Sequence, residues 1–419
     1  MCIRYSMEAS STLRSNTKPM GTRYLYICFL YICFVVILGT TLNLSAQASP
    51  PQVKQNSARI IEVSHQTPQG IQEKLRGKLL VEALDGSLLL EDDQQILHII
   101  PGETIAQRSA LSEVNPLTPK QLGQKTVASL PDGFSFITTR HYLICYNTSL
   151  GYARWSAALL ERLFTGFHAF WSQAGLEVRQ PEQPLVVIIF SNRNDYKRAA
   201  EKEVGNASHS IVGYYNQLTN RITTYDITGS DSNHPTTRQS LSTAGNSILR
   251  NPQASSLIAT LVHEATHQLA FNAGLHVRLS PTPVWLSEGI ATYFETPDLT
   301  NSRGWQSIGA INEARLELIL KQFTPGLISR FIVEDEPFHN PDEALLAYAH
   351  AWALVSFLAT MRREDFCKYI AHFKKKAPLE LDSPAERLNE FKNAFHSEPD
   401  DLEPAIIQYL NAITRRKRP

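Results

Sequence analysis

The chain reads as an α+β protein: a small β module, then a half built on a mixed sheet, then a mainly helical half. Three patterns carry that reading. Short apolar runs broken by turn residues fill the stretch up to about residue 108, strand-like and helix-like segments alternate over 134–254, and helical periodicity dominates 255–419. The 419 residues suffice for two or three domains with a sizeable core. Forty basic side chains balance forty acidic ones, so overall charge gives no reason to expect a nucleic-acid partner.

Residues 1–48 differ in kind from the rest. Arg4, Arg14, Lys18 and Arg23 precede the uncharged run Tyr24–Leu44, and Ala46-Gln47-Ala48 then gives the small-x-small pattern of a cleavage site. The expectation is an exported protein, periplasmic or secreted, whose mature chain begins near Ser49. The apolar run is also near the length that spans a bilayer, so an uncleaved anchor is the alternative, and the only membrane contact expected. Cys2, Cys28 and Cys33 fall in this leader. Cys145 and Cys367 remain, too few for a disulfide scaffold; buried thiols are the reading, a single bridge the alternative.

Residues 49–108 form the expected β module, in which Asp85-Gly86 is a hairpin signal and no cluster suggests chemistry. Residues 109–133, with Pro116, Pro119 and Pro131, read as a linker. Over 134–254, Phe134–Ser149 reads as a strand, Tyr152–Gly175 as an amphipathic helix ended by glycine and Pro184–Asn192 as a buried strand. Val212–Asp226 reads as two strands around an Asn/Thr turn. Residues 227–252, rich in Ser, Thr, Asn and Gly, predict a long loop able to lie over a cleft. Helices follow at Ser255–Ala273, capped by its serine and closed by Gly274, then at Pro283–Glu295, Gly309–Phe323, Glu343–Met361 and Glu403–Ile413.

The helix from Ser255 carries "LVHEATHQLAFN", Leu261–Asn272. His263 and His267, four residues apart, point from one helical face toward a common centre, as a tetrahedral zinc requires. Glu264, one step round, can reach a water at that centre without ligating the metal, the place of a general base. A third ligand is needed. The next histidine, His276, lies nine residues after His267, whereas "PVWLSEGIATYFE" places Glu288 on a returning helix.

These blocks resemble the gluzincin zinc metallopeptidases. "HEATHQLAFN" is similar to the His-Glu-x-x-His-Gln-x-x-x-Asn of their aminopeptidase N-like branch, and "WLSEGIATYFE" to its Trp-Leu-x-Glu-Gly-x-Ala-x-Tyr-x-Glu block. The resemblance implies a thermolysin-like catalytic domain over 134–419, one Zn2+, and Glu288 as third ligand. It also implies Glu295 behind the ligands, orienting a histidine. "YAHAWALVSFL" resembles the segment whose tyrosine donates to the oxyanion, implying Tyr348 in that role with His350 as runner-up; position 351 is Ala where the pattern has Gly. The Gly-x-Met-Glu-Asn segment that anchors a substrate's free amine in aminopeptidases is absent, which disfavours an aminopeptidase. The closer resemblance is to exported bacterial peptidase MA-like proteins of unknown function, whose Gly-x-Tyr block "VGYYNQLTNRI" is similar to. The expected activity is endopeptidase cleavage of a peptide or protein substrate. A catalytically silent secreted binding protein on the same scaffold is the alternative.

Overall fold

The structure, a computed structural model, describes residues 59–416 apart from 113–115, 206–207, 209–210, 227–244, 247, 299, 301–302, 304 and 306–307. The leader, His209, His234 and most of the expected 227–252 loop therefore lie outside the described residues.

The β module is a five-stranded antiparallel sheet of β1 (Arg59–Gln66), β2 (Gln72–Glu82), β3 (Leu88–Glu91), β4 (Leu97–Ile100) and β5 (Ile105–Leu111), in the order β4-β3-β2-β1-β5. Asp85-Gly86 turns the β2–β3 hairpin as expected, with Gly86 at φ +84°, where a side chain would be strained. Leu88, Leu89 and Leu90 explain how the sheet is covered. Successive strand residues face opposite ways, so Leu88 and Leu90 join Ile61, Val63 and Leu79 in the module's own core. Leu89, with Val81 and Leu97, is buried on the other face against Leu218 and Leu279 of the next domain. The module is thus docked rather than tethered.

The expected linker is corrected on two points. Strand β5 runs through Leu111, and Pro119–Ala128 is a helix, α1, opened by a reciprocal Thr118/Gln121 capping box. Gly123 lets that helix close on β6: a Cβ there would meet the Phe136 ring at 2.5 Å.

The second sheet has the order β6-β7-β8-β10-β9, from β6 (Ser135–Thr138), β7 (Tyr142–Tyr146), β8 (Leu185–Phe190), β9 (Gly213–Asn216) and β10 (Arg221–Tyr225). Its three central strands are parallel and both edges antiparallel. The single strand expected at Phe134–Ser149 is therefore a β6–β7 hairpin. Helix α2 (Leu150–Gln173), capped by Ser149, buries Trp155, Phe167 and Trp171, and α3 (Arg193–Val204) starts at an Asn192 cap.

The helical half holds α4 (Ala254–Asn272), α5 (Val284–Phe294), α6 (Glu313–Lys321), α7 (Leu327–Val333), α8 (Glu336–His339), α9 (Ala344–Met361), α10 (Arg363–Phe373), α11 (Pro384–Phe395) and α12 (Pro399–Arg416). Helix α4 starts after Gln253 without a side-chain cap, so the expected serine cap is not used. Its end is as expected: Gly274 turns at φ +77° and the Leu275 N–H returns to the Ala270 carbonyl. Helix α9 is apolar almost all round because neighbours cover it all round. Its approach to α5 depends on Gly289, where a Cβ would lie 2.5 Å from Val355 Cγ2 and 2.9 Å from the Ala351 carbonyl oxygen. Cys145 and Cys367 are separate buried thiols, and burial pushes Cys145 up to about 12.

Candidate metal centre

Helices α4 and α5 meet at three side chains: His263, His267 and Glu288, exposed by no more than 4 %. The His263 Nε2 lies 3.1 Å from the His267 Nε2 and 3.1 Å from Glu288 Oε2, and the His267 Nε2 lies 3.3 Å from Glu288 Oε1. Three donors this close, with their ligand atoms all within 4.8 Å of one another, can hold a metal ion.

Groups behind the ligands set their tautomers. His263 Nδ1 is 2.8 Å from Glu295 Oε2; a carboxylate only accepts, so Nδ1 carries a proton, and Nε2 is the ring's ligand atom, its own proton being the one a metal ion would displace. His267 Nδ1 lies 3.1 Å from the Ser287 hydroxyl, an oxygen able to accept the Nδ1 proton. Glu295 is itself clamped. Its Oε1 accepts from Arg315 Nε and Asn312 Nδ2, both at 3.0 Å, and it is 1 % exposed. Burial would raise both acids, but Arg315 and His263 hold Glu295 low, and the two imidazoles hold Glu288 well below the usual carboxylate range. Burial opposes charge on His263 as well, yet Glu288 and Glu295 overcome it and lift the ring to about 10.

Glu264 is 1 % exposed and its Oε2 accepts the backbone N–H of Tyr215 at 2.8 Å. That amide belongs to β9, the edge strand beside α4. Glu264, Glu288 and Glu295 are all buried, and Arg315 pairs with Glu295. With His263 neutral as a ligand, Glu288 and Glu295 set against Arg315 leave one negative charge that a bound cation would balance, since buried charge is stable only when compensated.

Residues 257–380 match a family model described as a protein of unknown function, DUF1570. The DUF1570 segment includes His263, Glu264, His267, Glu288, Glu295, Arg315 and Tyr348, but neither Tyr215 nor any of the β module. A search of the curated proteins finds no match.

Two expected oxyanion residues fare differently. Tyr348 is buried, its ring edge-on to Phe338 at 5.3 Å and 5.8 Å from the Arg315 guanidinium, which joins it to the Glu295 network. His350 is corrected. Its Nδ1 donates to the Leu346 carbonyl at 2.8 Å and its Nε2 accepts the Thr324 N–H at 3.1 Å, so both ring nitrogens are committed to backbone. Burial pushes that neutral ring down to about 4. His276 packs edge-on against Phe271 and stands outside the ligand group. His141 and His168 stack on Phe164, a structural use.

Four contributors escaped the sequence reading. Ser287 sits next to Glu288 on a buried helix, a signal that could have been used. Arg315 and Asn312 come from a segment with no local link to the motif, and the Tyr215 contribution is a backbone group that leaves no side-chain signature.

Proposed function

We propose that the chain is a zinc-dependent peptidase of the gluzincin kind, with a thermolysin-like catalytic domain over 134–419, acting as an endopeptidase on exported or external peptide substrates. The observation that carries this reading is the His263, His267 and Glu288 triangle with Glu264 beside it. Donors about 2.0–2.1 Å from a tetrahedral zinc stand about 3.3–3.4 Å apart. The edges of 3.1, 3.1 and 3.3 Å come close to that spacing. Two imidazoles and a carboxylate also suit zinc chemically.

Zinc held by these three side chains would supply Lewis acidity to a substrate carbonyl and to a water. Glu264, fixed by the Tyr215 amide, would accept the proton of the attacking water and return it to the leaving amine. Tyr348 would donate a hydrogen bond to the developing oxyanion, since a phenol keeps its proton at neutral pH. Glu295, held by Arg315, would keep His263 in its ligating tautomer. The leader Arg4–Ala48 supports export, and the absence of the free-amine anchor supports internal cleavage.

Glu264→Gln tests the assignment. The variant should keep its metal and lose peptide turnover by at least about a thousandfold, as expected when a proton-transfer group is removed from a concerted site. Full turnover in that variant would remove Glu264 from the reaction.

A further inference from the structure

The β module reaches the metal centre through one continuous set of hydrogen bonds. The β3–β4 turn is shaped by Asp92, whose Oδ1 accepts the N–H groups of Gln94 and Ile96 at 2.8 and 2.9 Å. This turn presents Gln95, at φ +62°, to the β9–β10 hairpin. Gln95 Oε1 accepts from Asn220 Nδ2 at 3.1 Å, and the Leu97 N–H bonds to the Leu218 carbonyl at 2.7 Å. Arg278 bridges both turns, donating to the Gln95 and Gln217 carbonyls at 2.8 and 3.1 Å and pairing with Glu91 of the module.

Asn220 is 4 % exposed and its side-chain amide is fully engaged. Its Nδ2 donates to Gln95 and to Asn272 Oδ1; its Oδ1 accepts from Asn272 Nδ2 and from the Tyr215 hydroxyl, the last at 2.9 Å. Asn272 ends the helix that carries His263 and His267. Tyr215 is thereby held at both ends, its phenol on Asn220 and its amide N–H on Glu264. The route from module to carboxylate is Gln95, Asn220, Tyr215, Glu264.

We propose that the N-terminal β module is a positioning element for Glu264, its β3–β4 turn clamping the β9–β10 hairpin so that the Tyr215 amide aims the carboxylate. Gln95 and Arg278 are its positioning residues. The inference rests on the reading of Glu264 as the proton acceptor. It also gives the module a task other than partner recognition, since the Val81, Leu89 and Leu97 face is taken up by the docking itself.

The test uses the full chain with Gln95→Gly and Arg278→Gln together, and Gln95→Gly alone. Glycine suits the positive φ at 95, so the single variant removes the contact without straining the turn. Residue-resolved hydrogen exchange should show the Tyr215 amide exchanging about tenfold faster, the effect of losing about one hydrogen bond's worth of support, while Leu88–Glu91 keep their protection. Metal should be retained, and kcat should fall about tenfold at unchanged KM, since an aimed base acts in the transition state and not in binding. Wild-type exchange at Tyr215 in both variants would overturn the proposal, as would a loss confined to KM or an accompanying loss of metal. A wild-type chain that cleaves no peptide would sink the peptidase reading instead, and the exchange rate would still decide for or against the clamp.

Discussion

Arg315→Met isolates the outermost support of the candidate metal centre. The guanidinium donates to Glu295 Oε1 through Nε and approaches it again through Nη2, both at 3.0 Å, and neither residue is more than 6 % exposed. Methionine fills similar space and removes the charge. Glu295 would keep Asn312 and His263 as partners and lose the Arg315 guanidinium. Breaking one side of a buried ion pair costs about 3–5 kcal/mol, because the remaining charge is left uncompensated. Glu295 can relieve that cost by taking up a proton, but a protonated acid accepts poorly from His263 Nδ1–H and makes the ring a weaker ligand. Loss of such support typically weakens metal binding by about 10–100-fold. Denaturant unfolding of the metal-free protein, paired with a competitive chelator titration, reads both quantities. A variant within about 1 kcal/mol of wild type and unchanged in metal affinity would refute the idea that Arg315 acts through Glu295.

Gly289→Ala should destabilise the fold by about 1–3 kcal/mol, measured by thermal or denaturant unfolding, because the new methyl meets the Ala351 carbonyl and Val355 where α5 crosses α9. The His350 ring makes acid stability a second readout. Its folded-state value of about 4 lies below the ordinary value near 6.5, so the unfolded chain protonates first as pH falls and stability is lost between those limits. Between pH 7 and pH 5 wild type should lose about 2 kcal/mol more than His350→Gln, and equal losses would contradict the buried neutral tautomer.

Much of the candidate site was legible because His263, His267 and Glu288 lie on two helices with strong local signals. His263 and His267 are one turn apart, Glu288 and Glu295 are two turns apart, and apart from Glu264 neither helix has another charged side chain, so these residues stand out. What escaped is tertiary or backbone in nature. Arg315 reaches Glu295 from a different helix, and nothing in the spelling of "NEARLELILK" separates a buried guanidinium from a solvated one. His350 shows the converse: it sits two residues from Tyr348, but successive helical residues point about 100° apart, which turns it toward Phe323 and Thr324. Helix α3 was missed since its polar face dominates "RNDYKRAAEKEV", leaving Tyr196, Ala200 and Val204 as a thin apolar stripe. The β module's docking face was written in the consecutive leucines 88–90, which a one-sided sheet does not need.

Zinc binding by His263, His267 and Glu288 is the proposal on which the catalytic roles depend. Its most direct test is elemental mass spectrometry of purified residues 49–419 after exhaustive desalting, alongside Glu288→Ala. About one zinc per chain in the wild type, lost in the variant, is the predicted result. A wild-type chain that stays metal-free after zinc is offered at neutral pH, or a variant that keeps zinc as tightly as wild type, would contradict it.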